Sequence, residues 1–496
     1  MLNYYRYGLL QISEFHLKSV NLRHLKQIFM KKLLFIPFIA FFLVHYSCNN
    51  EKSIAPPVAK KVPHEMVAHG HLRIDNYYWL NERENPEVVA YLEAENNYLK
   101  MVMKHTEPLQ ERIYEEIRAK IKEADESVPY FENGYYYYTR TVEGGEYFLQ
   151  CRKKGSLDAP GEILLDVNKM AEGYAFYSMG GGAVSPDNKI LAYAVDTVSR
   201  RNYSIYFKNV ETGELLPDII PMTTGSVVWG NDNKTVFYVL RNETTLRSER
   251  IMKHTLGTPV TEDQEVYFED DETFSVSISK TKSGQYLMIG SNSTLTNELR
   301  FLDADNPAGQ FKVFQPRTRG MEYSVNHAGN YFYIRTNLDA TNFRVMRTPV
   351  EKTGMENWQE VIPHRNDVFL TGFDLFKDFL VVQEKKDGLN HLRIMPWQGS
   401  GEHYISFNEE VYTVGMNMNR VFDTGIFRFS YSSLTTPSST FDYNMKTRER
   451  VLLKQEEILG GFDPAYYETK RDYATASDGT KIPLSIVYRK GFVKDG

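Results

Sequence analysis

The sequence comprises 496 residues, of which 42% are hydrophobic and 25% charged, so the chain can bury a large core and form two or more domains. The formal net charge is −6 at pH 7, and acidic and basic residues are interspersed, which argues against a nucleic-acid-binding protein. Two cysteines, Cys48 and Cys151, are too few for a disulfide framework. With 34 Tyr and 29 Phe, the composition favours a protein rich in β-strands.

The N-terminal part of the chain predicts a signal peptide over residues 30–48. In "MKKLLFIPFIAFFLVHYSCNN" two lysines precede an uncharged apolar run, residues 33–44, which is too short for a comfortable membrane span. Small and polar residues then lead to a cysteine, as at the processing site of an exported protein. Residues 1–29 are neither apolar nor periodic. They are therefore interpreted as a spurious upstream extension, with Met30 as the true start.

Cys48 resembles the lipidation site of a bacterial lipoprotein, because it follows the apolar run and precedes Asn49 and Asn50. His45 departs from that pattern, in which a leucine is usual at this position. The alternative is a plain signal peptide in which the cysteine is incidental. Both interpretations predict an exported protein, either periplasmic or anchored to the bacterial envelope through a lipidated Cys48.

A proline-containing linker, residues 49–63, precedes a predicted helical segment over residues 64–129. Asn85-Pro86 provides an N-cap and a proline at the first helical position, so a helix is predicted over residues 86–104. A second helix is predicted over residues 107–124, where an apolar face recurs every four residues: Leu109, Ile113, Ile117 and Ile121. Isolated helices of this length are marginal in water, so both are expected to pack on another surface.

From about residue 130 the pattern changes to short strand-like runs that begin 45 to 55 residues apart. The runs begin at Tyr135, Ile190, Thr235, Tyr286, Tyr331, Phe379 and Phe427. Each of the seven units is long enough for a four-stranded antiparallel sheet. Strand-rich repeats of this length without intervening helices are typical of β-propellers. The sequence therefore predicts a mainly β protein with a seven-bladed β-propeller over residues 130–456.

Three stretches resemble oligopeptidase B, a branch of the prolyl oligopeptidase family of serine peptidases. They are residues 69–98, which contain "DNYYWLN" and "YLEAENNY", residues 121–152, which contain "NGYYYYTRTVEGGEYFLQCR", and residues 459–490, "LGGFDPAYYETKRDYATASDGTKIPLSIVYRK". The resemblance covers nearly everything after the linker. It implies that an N-terminal helical segment packs on an α/β-hydrolase domain, that a seven-bladed propeller is inserted, and that the chain then returns to the hydrolase.

The resemblance also implies an activity. Oligopeptidase B hydrolyses short peptides after Arg or Lys, with the propeller restricting access to oligopeptides, and no cofactor is implied. Residues 457–496 are expected to be the start of a truncated α/β-hydrolase domain. The alternating run from Ile482 to Tyr488 is then a strand of the hydrolase sheet, and its partner strands are expected to be absent.

No catalytic centre is recognised in the sequence. In an α/β-hydrolase the nucleophilic serine lies in G-x-S-x-G and is followed along the chain by Asp and His. The stretches around Ser293 and Ser400 do not complete this motif, and both are interpreted as propeller loops. The catalytic Ser, Asp and His are therefore expected to be absent and the chain alone inactive. The alternative is a non-catalytic β-propeller that serves as a binding module of the cell envelope.

Three further features allow a functional and a structural interpretation. His69 and His71 could form a metal pair, but no carboxylate or cysteine cluster accompanies them, which favours a structural role. Met179–Ser185, "MGGGAVS", resembles a glycine-rich oxyanion loop, yet it precedes a strand and is interpreted as a tight loop between blades. Glu269–Thr273, "EDDET", could attract a basic substrate, although such a charge run is usually a solvated loop.

Overall fold

The computed structural model describes residues 55–493. The predicted signal peptide, the upstream residues 1–29 and Cys48 lie outside the described residues. The described chain falls into two compact units, one that ends at Ile121 and one that begins at Lys122. None of the helices within the described range is long and apolar enough to cross a bilayer.

The first unit contains a hairpin followed by two helices. Its elements are β1 (His64–Ala68), β2 (His71–Asp75), α1 (Pro86–Met103) and α2 (Glu107–Arg118). The predicted N-cap of α1 is confirmed, because the Asn85 side chain accepts a hydrogen bond from the backbone N–H of Glu87 at 2.9 Å. The prediction that α2 extends to residue 124 is wrong. Its last turn tightens into i→i+3 bonds, in which Ile121 donates to the carbonyl of Arg118, and the helix ends there.

The second unit consists almost entirely of antiparallel sheets. In chain order its elements are β3 (Tyr130–Glu132), β4 (Tyr135–Arg140), β5 (Leu149–Lys154), β6 (Gly161–Asp166), α3 (Val167–Met170), β7 (Ser178–Val184), β8 (Ile190–Asp196), β9 (Tyr203–Asn209), β10 (Leu215–Trp229), β11 (Thr235–Arg241), β12 (Ser248–Thr255), β13 (Gln264–Phe268), β14 (Ser275–Lys280), β15 (Tyr286–Asn292), β16 (Asn297–Asp303), β17 (Lys312–Gln315), β18 (Tyr323–Ala328), β19 (Tyr331–Thr336), β20 (Arg344–Pro349), β21 (Gln359–Ile362), β22 (Phe369–Leu375), β23 (Phe379–Lys386), β24 (Leu389–Pro396), β25 (His403–Tyr404), β26 (Tyr412–Met416), β27 (Ile426–Ser433), β28 (Ser439–Asn444), β29 (Arg450–Gln455), β30 (Tyr467–Thr475) and β31 (Lys481–Arg489).

These strands form a propeller-like series of sheets, but the predicted count of seven separate blades is not confirmed. Within the described residues, β3–β6, β14–β17, β18–β21, β22–β25 and β26–β29 form five four-stranded sheets, and β7–β13 form one seven-stranded sheet. The physical reason is β10, which pairs with β9 through its first half and with β11 through its second half. Six of the seven predicted strand starts coincide with the first residue of a strand, and Phe427 is the second residue of β27.

The core lies between neighbouring sheets. Phe376 and Val381 of one sheet region pack in the same buried cluster as Phe427 and Phe429 of the next. A second cluster joins Ile251 of the seven-stranded sheet to residues of β14 and β15. Because both faces of the inner strands are covered, strands such as β8 have nearly continuous apolar sequences instead of alternating apolar and polar residues.

The two ends of the sheets are distinct. Strand direction alternates in a four-stranded antiparallel sheet, so the first strand begins and the fourth strand ends at the same end. We call this the proximal end; the turns that join the first and second strands lie at the opposite, distal end. Tyr130, where the first sheet starts, and Gln455, where the last one finishes, therefore both lie at the proximal end.

The C-terminal strand has a partner, which corrects the prediction that its partners are absent. β31 pairs with β30 in antiparallel register from Tyr467↔Arg489 to Thr475↔Lys481. The partner strand is encoded by the preceding stretch of the chain, so the two form a long hairpin. Its outer side chains remain exposed, among them Tyr473 and Ile482, each 46% accessible.

Candidate functional site

A buried carboxylate, that of Glu269, lies at the proximal end between the seven-stranded sheet and the β14–β17 sheet. It directly follows β13 and is only 1% exposed. The guanidinium of Arg317 and the hydroxyl of Tyr267 each donate to Glu269 Oε2 at 2.7 Å, and the hydroxyl of Ser291 donates to the same oxygen. Because Arg317 and Ser291 belong to the neighbouring sheet region, the carboxylate holds two sheets together.

The electrostatics of this cluster favour the charged carboxylate. Burial alone would raise the pKa of Glu269, but the hydrogen bonds from Arg317, Ser291 and Tyr267 outweigh burial and lower the pKa to about 2. The interpretation of Glu269–Thr273 as a solvated loop is therefore wrong for its first residue. The remaining residues, Asp270 to Thr273, are exposed, so two aspartates and one glutamate do face solvent at the proximal end.

A buried histidine is held between two carboxylates in the seven-stranded sheet. His254 Nδ1 lies 2.6 Å from Asp263 Oδ1, and His254 Nε2 lies 3.1 Å from Asp218 Oδ1. The hydroxyl of Tyr238 donates to the second oxygen of Asp263 at 2.7 Å. An Asp–His pair resembles part of a catalytic triad, but here both ring nitrogens face carboxylates and none is left to accept a proton from a nucleophile. The cluster therefore ties strands of this sheet together.

An ion pair crosses the distal end. Lys282, in the turn after β14, places Nζ 3.0 Å from both carboxylate oxygens of Asp374 in β22. One whole sheet, β18–β21, lies between these two along the chain. Burial lowers the pKa of Lys282 and raises that of Asp374, although their mutual attraction opposes both shifts. The pair thus links non-adjacent sheets in a poorly solvated environment.

The β30–β31 hairpin is attached to the proximal end through Arg471. Its backbone N–H donates to Glu410 Oε2 at 3.0 Å, and its guanidinium donates to the carbonyl of Asp387 in the β23–β24 turn. The next residue in that turn, Gly388, has φ +77°, and a Cβ placed there would lie 2.7 Å from Arg471 Nη2 and 3.2 Å from Pro483. Glycine therefore gives both the turn conformation and the space for the hairpin to approach.

The other sequence candidates lie in turns or in regular structure. His69 occupies the turn of the β1–β2 hairpin with φ +53°, and His71 begins β2. Within residues 55–493 no group of three or more His, Cys, Asp or Glu side chains is placed to hold a metal. The prediction of Met179–Ser185 as a loop is wrong, since most of it forms β7. Its glycines are needed because a Cβ at Gly181 would lie 2.6 Å from the carbonyl oxygen of Gly225.

The two serine candidates are in loops, as predicted. Ser293 follows β15 and its hydroxyl donates to the carbonyl of Thr296 at 3.0 Å, which closes a turn. Ser400 lies between β24 and β25. A shallow depression beside the hairpin is lined by Phe462, Tyr466 and Tyr467 together with Gly461 and Asp463. It brings together no nucleophile and base.

Comparison with known proteins assigns the family. The sequence profile described as "Prolyl oligopeptidase, N-terminal beta-propeller domain" matches residues 56–456. The chain belongs to the prolyl oligopeptidase family. The oligopeptidase B-like resemblance seen in the sequence is confirmed.

Individual relatives of this prolyl oligopeptidase family chain are peptidases by name. It is 42% identical over 467 residues to dipeptidyl aminopeptidase BI from Pseudoxanthomonas mexicana, covering 90% of this chain and 64% of that one. It is 31% identical over 448 residues to protease 2 from Moraxella lacunata, covering 89% of this chain and 64% of that one. Oligopeptidase B from Leishmania major has a similar structure, with a TM-score of 0.82 and 32% identity over 88% of this chain and 66% of that chain. The chain thus spans about 64% of the length of these curated relatives.

Three residues that organise this family member were not found by sequence reasoning. Arg317, His254 and Lys282 bond to partners that lie 48, 36 and 92 residues away along the chain. No local motif marks such pairs. Glu269 differs from them, because the sequence marks it as part of the charge run Glu269–Thr273, although that run predicts a solvated loop.

Proposed function

We propose that this chain is the N-terminal and propeller portion of an oligopeptidase B-like serine peptidase that hydrolyses short peptides after Arg or Lys. The observation that carries the proposal is the hairpin β30–β31, which matches the return to the hydrolase in the resemblance and is attached to the proximal end through Arg471. The catalytic domain would then cover the proximal end, and the sheets would restrict access to oligopeptides.

The preference for basic residues is supported by charge at the same end. Asp270, Asp271 and Glu272 are exposed there, while the buried Glu269 fixes the start of their loop. Carboxylates beside a peptide-binding cavity attract Arg and Lys side chains over several ångströms. We treat these residues as part of the electrostatic surroundings and assign none of them direct contact with substrate.

Peptide bond hydrolysis is proposed to require groups outside this sequence. The sequence contains no G-x-S-x-G, and the buried Asp–His pair has no free ring nitrogen. We therefore propose that the chain alone is inactive. We further propose that it is exported, with residues 30–48 as signal peptide and Cys48 as the lipidated residue.

The seven-stranded sheet is proposed to function as two blades. Thr223 of β10 pairs with Tyr203 of β9 and also with Leu240 of β11. Met222 and Gly225 on either side of it have φ of +61° and +86°, which bends the strand. β10 would then serve as the outer strand of one blade and the inner strand of the next. Together with the five four-stranded sheets, the two blades would give a seven-bladed propeller.

A chimera tests the proposed specificity. Residues 55–490 would be joined to the residues that follow the aligned region in dipeptidyl aminopeptidase BI of P. mexicana. We expect this chimera to hydrolyse chromogenic peptides that end in Arg or Lys at least a hundredfold faster, in kcat/KM, than the matched peptide that ends in Ala. Equal rates for the three peptides would refute the proposed preference for basic residues.

A further inference from the structure

Arg335 lies at the proximal end and has no ion-pair partner among residues 55–493. Arg335 is the penultimate residue of β19, where its backbone pairs with Ser324 of β18 near the proximal edge of that sheet. Its side chain is half-buried and, within the described part of the chain, makes a single hydrogen bond, in which Nε donates to the carbonyl of Leu370 at 2.7 Å. Leu370 belongs to the first strand of the next sheet, so Arg335 lies where two sheets meet at their proximal ends.

Aromatic rings hold the guanidinium in place. Its central carbon lies 3.5 Å from the ring centroid of Phe343 and 5.9 Å from that of Phe369. Stacking on aromatic faces suits the planar guanidinium and restricts its motion without neutralising its charge. Arg335 is therefore a positioned cation.

Several other half-buried arginines are neutralised by carboxylates. Arg317 pairs with Glu269 at 2.7 Å, Arg393 pairs with Glu384 at 3.0 Å, and Arg428 pairs with Asp442 at 2.7 Å. Arg335 has no carboxylate within ion-pair distance among residues 55–493. Burial lowers the pKa of Arg335 to about 10, and the more distant carboxylate of Glu322 offsets this only in part. A desolvated cation of this kind is stabilised by any anion that reaches it.

We propose that Arg335 is a carboxylate-binding site that receives a carboxylate of the bound oligopeptide. Phe343, with Phe369 beside it, positions the guanidinium at the proximal end where two sheets meet. Guanidinium N–H groups bind carboxylates with short, charge-assisted bonds, and the terminal nitrogens of Arg335 make none of the hydrogen bonds described within the protein. The carboxylate could be the peptide's C-terminus or an acidic side chain. The identity of the ligand as a peptide rests on the proposed function.

Four peptides test this site by calorimetric titration of the purified chain. The reference is acetyl-Ala-Arg-Ala-Ala with a free carboxylate, and the second is its C-terminal amide. The third, acetyl-Ala-Arg-Ala-Glu-amide, has a side-chain carboxylate in place of the terminal one. The fourth, acetyl-Ala-Ala-Ala-Ala with a free carboxylate, removes only the basic residue and so tests the proposed function separately.

We expect the reference peptide to bind roughly tenfold or more tightly than its amide, and Arg335→Gln to abolish that difference. Recovery of affinity by the Glu-containing amide would identify a side chain as the natural source of the carboxylate, and no recovery would identify the C-terminus. The matched control is Arg347→Gln. Arg347 lies in the same group of strands, stacks on Tyr331 at 4.8 Å and faces the distal end, so its replacement should leave the difference unchanged.

If the wild-type chain binds the reference peptide and its C-terminal amide with equal affinity, the proposed site is refuted. The same holds if neither peptide binds at millimolar concentration. An Arg335→Gln chain that still discriminates acid from amide overturns it as well. If Arg335→Gln does not fold, as judged by circular dichroism, Arg335→Lys serves instead, because it keeps the charge but loses the planar stacking and should reduce the difference. Weak binding of the peptide that contains only alanine supports the preference for basic residues, independently of the result for the Arg335 variants.

Discussion

The Glu269 cluster gives a pH-dependent contribution to stability that can be measured. Replacing Glu269 with Gln removes the charge that neutralises Arg317 and keeps the size of the side chain. The pKa of Glu269 is about 2, against an ordinary value near 4.5. That difference corresponds to about 3 kcal/mol of folding free energy at neutral pH.

The pH dependence of this stabilisation follows from the lowered pKa of Glu269. Because the folded protein holds the carboxylate with a lowered pKa, the stabilisation is complete above about pH 5 and is lost as the pH falls toward 2. The wild-type chain should therefore exceed the Glu269→Gln chain in stability by about 3 kcal/mol at pH 7. The gap should shrink steadily between pH 5 and pH 3.

Urea denaturation followed by circular dichroism at several pH values measures this gap. The matched control is Glu272→Gln, in the same loop but exposed, which should change the free energy of unfolding by less than about 0.5 kcal/mol at every pH. A Glu269→Gln chain as stable as the wild type at pH 7, or a gap that does not vary with pH, would refute the reasoning.

Two further substitutions test the distal ion pair and the hairpin contact. Lys282→Met leaves the Asp374 carboxylate buried without its partner and should lower the free energy of unfolding by about 3 to 5 kcal/mol in urea denaturation. The double variant with Asp374→Leu should recover most of that loss. An equal loss in the double variant would contradict this. Gly388→Ala should displace Arg471 and speed proteolytic cleavage in β30–β31 several-fold. Gly213→Ala has a similar positive φ of +79° but open space around it, so it should not speed that cleavage; if both variants behave alike, close packing is not the cause.

Regular, local features of this fold were predictable from the sequence. The strands that begin at Tyr135, Ile190 and Tyr331 follow turn residues and have dense apolar side chains, so their positions are set within a few residues along the chain. The N-cap at Asn85 is similarly local. The end of α2 was misplaced, because its apolar repeat continues to Ile121 after the backbone has already tightened.

Features that depend on distant pairing were not predictable. The seven-stranded sheet arises because β10 bends near Met222 and Gly225 without a break in its ladder, and a repeat length does not reveal that. The burial of Glu269 depends on Arg317, which is contributed by another sheet. The partner of β31 was present in the sequence, but the alternation of its residues was not recognised as a strand.

The central proposal is that this chain supplies the sheets and the attached hairpin of a peptidase, and that its catalytic centre requires groups outside this sequence. The most direct test is hydrolysis of a chromogenic peptide that ends in Arg by the purified chain, beside the chimera described above. The account predicts turnover by the chimera and no turnover above background by the chain alone. Sustained turnover by the purified chain, abolished by a serine-directed inhibitor, would contradict it.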